Sequence, residues 1–156
     1  MFFEKTHRGE TDTWLTPPWI HQALGRFDFD PCGHPLSETA EQRIFFPEED
    51  GLKITWEGRV WLNPPYGPKT KLFLNKLSAH GSGTALVLAR TDTRWLQNHL
   101  RIAKAILFIY GRIKFLNSKF EETNGCQVPS LLLAYGKDDA DILMSCKIKG
   151  FKIRNI

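Results

Sequence analysis

Arg59-Val60-Trp61-Leu62-Asn63-Pro64-Pro65-Tyr66-Gly67-Pro68 is the stretch that decides the fold class of this chain. Val60, Trp61 and Leu62 form a short apolar run that reads as a buried strand, and Gly67-Pro68 requires a turn. A carboxamide, two prolines and an aromatic ring therefore stand at the C-terminal end of a strand, where open α/β sheets bind their ligands. These four residues suit one kind of chemistry. An amino group on an aromatic ring is a poor nucleophile because its lone pair is delocalised. A carboxamide oxygen and a backbone carbonyl can accept its two N–H bonds and localise that pair. Pro64 and Pro65 donate no N–H, and their fixed φ holds the carbonyls in place. The ring of Tyr66 can stack on a flat base. The bland alternative is a Pro-Pro pair that merely ends a strand. The same set could serve a glutamine side-chain amide, so it names a reaction, methyl transfer to nitrogen, before it names a substrate.

Working outward, apolar strands alternate with helical patterns. The sequence predicts a helix from Thr16-Pro17-Pro18 to Gly25, with Thr16 as N-cap and proline in the first turn. It predicts strands at Phe27–Asp30 (stopping at Pro31), 84–89, 105–110, 113–116 and 129–135, and helices over 69–80 and 93–104. Residues 1–13 read as polar and loose, 32–58 as irregular, and 142–156 as a hairpin or final strand. This alternation argues for an α/β sheet with helices on both faces. The late runs 113–116 and 131–135 suggest a hairpin-like C-terminal edge. With 156 residues, one domain spanning 1–156 is expected.

Composition narrows the function classes. No apolar run approaches the ~20 residues that cross a bilayer, and the first residues lack a signal-peptide layout. Cys32, Cys126 and Cys146 are scattered, as reduced thiols of a cytoplasmic protein would be. His34 lies two residues from Cys32 without a second ligand pair, so no metal site is expected. The net charge of +4 is unevenly spread: residues 90–120 carry Arg90, Arg94, Arg101, Lys104, Arg112, Lys114 and Lys119 against Asp92 alone. A basic central third after an acidic first half suggests a polyanion on one face. Arg90, Arg112 and Lys114 are the expected phosphate contacts; the tail cations Lys147, Lys149, Lys152 and Arg154 are expected to matter less. The five tryptophans read chiefly as core, with Trp14 or Trp95 the ones to approach a site as base-stacking rings.

Asp28 and Asp30 flank Phe29 near the end of the first strand. A carboxylate there can bind a cofactor hydroxyl or amine, with Pro31-Cys32-Gly33 as the turn beneath. No Gly-x-Gly-x-x-Gly follows, and both aspartates could equally cap a turn.

An ordered set of segments now resembles phage-type DNA N6-adenine methyltransferases. It comprises Thr16-Pro17, Phe27-Asp28-Phe29-Asp30-Pro31-Cys32, Asp50-Gly51-Leu52, Trp56, and Trp61-Leu62-Asn63-Pro64-Pro65-Tyr66-Gly67. Leu88-Ala89-Arg90-Thr91-Asp92-Thr93, Gly111-Arg112-Ile113-Lys114-Phe115 and Pro129-Ser130 continue it, so that residues 11–136 are covered in order. The resemblance implies a Rossmann-like fold that uses S-adenosylmethionine. Thr16, Pro17, Asp30, Pro31 and Cys32 would form the cofactor side, and Asn63, Pro64, Pro65 and Tyr66 the catalytic tetrad. Thirty-two residues separate Asp30 from Asn63 and the glycine loop is absent, so a trimmed sheet is expected. Whether Asp30 holds the methionine amine or the ribose hydroxyls stays open. No separate target-recognition domain stands in the sequence. The expected reaction is direct transfer to adenine N6 of DNA, on a base flipped from its duplex or taken from a single strand. The alternatives are cytosine N4, RNA or protein glutamine as acceptor, or a nucleic-acid-binding protein of this fold without turnover.

Overall fold

In a computed structural model, which describes residues 14–155, the chain forms a seven-stranded sheet with helices on both faces. The strands are β1 (Phe29–Gly33), β2 (Gln42–Phe45), β3 (Val60–Leu62), β4 (Gly83–Leu88), β5 (Ala105–Ile109), β6 (Ser130–Tyr135) and β7 (Gly150–Arg154). The helices are α1 (Pro18–Leu24), α2 (Thr70–His80), α3 (Arg94–Ile102) and α4 (Lys137–Ser145). Across the sheet the order is β2-β1-β3-β4-β6-β5-β7. β1 pairs parallel with β2 and β3, and β3 with β4; β6 runs antiparallel to β4 and β5, and β7 antiparallel to β5. From β1 the chain moves to one side of the sheet, and from β3 to the other, so the topological switch lies between these two strands.

Burial explains the pattern. β3, β4 and β6 are buried at every residue, as strands covered on both faces must be. Ile20 and Leu24 of α1 and Ala140 and Leu143 of α4 share one core layer with Trp61 and Leu132. Phe73, Leu74 and Leu77 of α2 and Leu96 of α3 share the opposite layer with Val60 and Leu133. α2 stops at Gly81, whose φ of 78° is left-handed and whose N–H donates to the Leu77 carbonyl at 2.9 Å. Gly83 opens β4 against the Val60 carbonyl, where a Cβ would overlap.

The α/β architecture is as expected, and several local readings change. The N-cap of α1 is Pro17, not Thr16, and no side chain caps the helix. Thr16 is buried instead, because Leu15 beside it exchanges backbone bonds with Leu116 at 2.8 and 2.9 Å. The first strand does not stop at Pro31. β1 continues to Gly33, and its register on β2 shifts between Asp30 and Gly33, so the proline without an N–H falls where the ladder is irregular. The stretch 32–58 contains β2, a half-buried edge strand with little alternation to reveal it. β1 reaches β2 through residues 34–41 without a helix, which is the expected trimming.

Residues 113–116 are not a sheet strand. They lie in the loop after β5, with Leu116 bridging Leu15 and Glu122. The antiparallel end of the sheet is built by β6 and β7 around β5, and α4 connects those two strands along the chain. Trp19, expected in the core, is 44% exposed on α1. The reading of residues 1–13 as loose lies outside the described residues. Among the described residues no helix is long and apolar enough to cross a membrane.

Candidate active site

The tetrad stands at the C-terminal end of β3, beside β1 at the switch between the two directions of chain travel. Asn63, Pro64 and Pro65 are buried, and Tyr66 is half-buried. Thr70, in the first turn of α2, holds the loop: its hydroxyl donates to the Pro65 carbonyl at 2.7 Å and accepts from the Gly67 N–H at 3.1 Å. Sequence reading missed Thr70. The available signal was a hydroxyl residue just after a Pro-Pro-x-Gly-Pro turn, at a position where a new helix begins.

Asn63, Pro64, Tyr66 and Thr70 line a cavity with Leu86, Val87 and Leu88 of β4, Trp95 of α3, Phe115 and Ser130. The cavity holds about 10 Å³, room for about one water. Motifs far apart in sequence meet here because backbone bonds tie their segments together. The Ala89 N–H donates to the Pro129 carbonyl at 2.7 Å, joining the segment before Arg90 to Pro129-Ser130. The Leu15–Leu116 bridge brings Thr16-Pro17 beside Phe115. Trp95 lines the cavity, and Trp14 packs edge-on against Phe115 at a centroid distance of 6.1 Å. Trp95 is thus at the cavity and Trp14 one ring away from it, and both also pack against the core.

Arg90 is half-buried. Its guanidinium carbon lies 5.0 Å from the centroid of the Tyr66 ring, a cation–π contact that brings it to the tetrad itself. Arg112 is exposed on the loop after β5. Lys114 is exposed too, 4.0 Å from Glu122, a separation at which an exposed pair contributes little.

Asp30 lies one strand away from the tetrad, on β1, and is 2% exposed. One carboxylate oxygen accepts the Cys32 N–H at 2.9 Å and the other accepts the Thr39 hydroxyl. Burial raises its pKa above the ordinary carboxylate range, against those two hydrogen bonds. A carboxylate offers about four acceptor positions; among the described residues two of them are used, and they fix the turn around Cys32. Asp50-Gly51-Leu52 packs over this turn, with Gly51 so close to the Pro31 carbonyl that a Cβ would overlap it. The indole N–H of Trp56 donates to the Gly51 carbonyl at 2.8 Å, and Lys76 donates to the Leu52 carbonyl at 2.7 Å. The Cys32 thiol is buried, and that burial pushes its pKa up, so it is not a thiolate nucleophile.

Among the described residues no group of three or more His, Cys, Asp or Glu side chains is arranged to hold a metal ion. The site thus joins two halves at one sheet edge: an acidic turn on β1, and a buried carboxamide with aromatic walls between β3 and β4. Neither the curated proteins nor the solved structures compared with this chain match it. The family model described as DNA N-6-adenine-methyltransferase (Dam) matches residues 4–149, and the chain belongs to that family.

Proposed function

We propose that this chain moves the methyl group of S-adenosylmethionine to the exocyclic N6 of an adenine in DNA, on a base flipped from its duplex or drawn from a single strand. The observation that carries the reading is the buried Asn63 carboxamide lining a cavity with the half-buried Tyr66, at the end of β3 and beside the acidic turn of β1. The family match favours adenine over cytosine, RNA or protein glutamine.

The chemistry of the β1 turn fits a cofactor that carries an amine and hydroxyls. Among the described residues Asp30 accepts two hydrogen bonds, and Thr16, Pro17, Pro31 and Cys32 would close the pocket around it. The cofactor supplies an electrophilic methyl group on a sulfonium. The chain's own residues do the rest. The Asn63 oxygen and the Pro64 carbonyl would accept hydrogen bonds from the two N6–H groups and localise the lone pair; as N6 takes the methyl group from the sulfonium, leaving a thioether, the extra N6 proton would pass to solvent. The Pro65 carbonyl is already held by Thr70, which is why the acceptors do not drift. Fixed acceptors are worth most where positive charge develops on nitrogen, and aligning amine and methyl supplies much of the rate. Tyr66 stacks on the purine. Arg90 packs against the Tyr66 ring and helps to hold it in place for the base.

The test is sequencing with modification detection on DNA co-expressed with the protein, beside the Asn63→Ala variant. Methylated adenine is expected with the parent and not with Asn63→Ala, whose loss of an acceptor costs about 2.7–4 kcal/mol, or about 10²–10³ in turnover. Tyr66→Phe keeps the ring and should keep substantial activity. Asp30→Ala should weaken cofactor binding in calorimetry while the protein stays folded. No methylated adenine from a folded, cofactor-saturated parent would sink the reading.

A further inference from the structure

The sheet carries a second surface that the methyl-transfer site does not use. β5 and β7 pair so that Phe108 lies opposite Phe151, and the Tyr110 N–H donates to the Lys149 carbonyl at 2.9 Å. Alternation along paired strands then puts Phe108, Tyr110, Lys149 and Phe151 on one face. The rings of Phe108 and Phe151 are 6.5 Å apart. Tyr110 is 81% exposed and Phe151 is 68% exposed, and with Lys149 they line one shallow groove. Exposed aromatics of this size on a sheet face are unusual for a surface that meets only water.

The charge around them is one-sided. Residues 93–120 and 142–156 contain no aspartate or glutamate. The other strand face of β7 is already occupied: Lys152 donates to the Met144 and Cys146 carbonyls, and Arg154 pairs with Asp141. Lys149 is left on the aromatic face, and Arg112 follows two residues after Tyr110.

Position links this face to the tetrad. β3, β4 and β5 run in the same direction, so Tyr110 and the tetrad leave the sheet at the same edge. They are three strand steps apart, about 14 Å at ~4.8 Å per step. That is about four nucleotides at ~3.4 Å each.

We propose that Tyr110 and Phe151, flanked by Lys149 and Arg112, form a stacking platform for unpaired nucleotides flanking the target base. Bases offer flat faces to the rings whatever their identity, and the cations neutralise phosphates, the combination by which single strands are held without sequence reading. The proposal rests on the reading of the chain as a DNA methyltransferase for the nature of the strand, and on its own geometry for the surface.

The experiment is fluorescence anisotropy of the full chain with labelled oligo-dT, an oligo-U of equal length and a blunt duplex. It is repeated for Tyr110→Ala, Tyr110→Phe, Phe151→Ala and Lys149→Gln, with cofactor affinity and single-turnover methyl transfer at saturating DNA measured in parallel. Each truncation to alanine should weaken oligo-dT binding by about 5- to 150-fold with an unchanged salt slope. Lys149→Gln should lower that slope by about 0.7. Tyr110→Phe should bind like the parent. Cofactor affinity and the saturated rate should stay parental in all four. Binding of oligo-U in place of oligo-dT keeps the platform and makes its strand RNA. Unchanged oligo-dT and oligo-U affinity in folded Tyr110→Ala and Phe151→Ala overturns the proposal. So does a switch from dimer to monomer in sedimentation without an effect on nucleic acid, which would make the face an interface between copies. A parent that binds oligo-dT through these rings but transfers no methyl refutes the proposed function and leaves the platform standing.

Discussion

Thr70→Val removes one hydroxyl and keeps the shape of the side chain. In the structure that hydroxyl donates to the Pro65 carbonyl and accepts from the Gly67 N–H. Gly67 is exposed, so its N–H can turn to water. Pro65 is buried, and its carbonyl loses a partner that solvent cannot replace. An orphaned buried acceptor costs about 1–3 kcal/mol. For a chain of this size that corresponds to a midpoint drop of about 2–12 °C, at ~2–4 °C per kcal/mol. The effect on catalysis is separate. The Thr70 bonds are what hold the tetrad loop against α2, and a displacement of about 1 Å at a reacting group can cost about 10²-fold. Thermal unfolding followed by tryptophan fluorescence gives the first quantity, and single-turnover methyl transfer at saturating cofactor and DNA gives the second. Thr70→Ser keeps the hydroxyl and should restore both. If Thr70→Val melts like the parent and transfers methyl at the parental rate, Thr70 does not position the tetrad.

His21 gives a pH dependence. Burial, and then the nearby Arg59 charge, lower its pKa from 6.5 to about 4, and its ring packs edge-on against Trp61 at 4.4 Å. The unfolded chain binds that proton more readily, so stability should fall as pH drops from about 6.5 towards 4, by up to about 3 kcal/mol; the slope of urea midpoints across that window should flatten in His21→Leu. Asp139 is buried and accepts from the Arg59 guanidinium at 2.8 Å and the Thr84 hydroxyl at 3.0 Å. Asp139→Ala should cost about 3–5 kcal/mol in urea unfolding, because it strands a largely buried cation, and should leave cofactor affinity parental since the pair lies at the opposite edge of the sheet. Removing Arg112 or Lys114 should lower the salt slope of duplex binding by about 0.9 for each phosphate that is no longer neutralised; an unchanged slope in both variants shows that neither side chain touches the DNA backbone.

Local chemistry made half of the active site readable in one dimension. Asn63-Pro64-Pro65-Tyr66 is contiguous, and a strand of Val60, Trp61 and Leu62 followed by a turn puts it at a sheet edge whatever the rest of the chain does. β4 and β6 were equally legible, because strands buried on both faces are unbroken apolar runs. α4 was not. Its first turn is Lys137, Asp138 and Asp139, and the inner face that Ala140 and Leu143 begin is completed by a carboxylate, Asp139, buried only because Arg59 pairs with it from far along the chain. The run 113–116 misled for the converse reason. Ile113 and Phe115 alternate like strand residues, yet they are buried in the core from a loop whose backbone bonds to residues 15, 123 and 126 and bridges to 122 instead of a sheet neighbour. Arg90 shows the difference most directly. Its charge is plain in the sequence, but charge does not specify a partner. Only the packing of β4 beside β3 brings its guanidinium over Tyr66, 5.0 Å from the ring centroid. The chemistry available to contiguous residues, and the covalent limits of proline and glycine, are written in one dimension. Which distant side chains share a cavity is settled by folding, because contacts between segments depend on strand order and register, which no local pattern encodes.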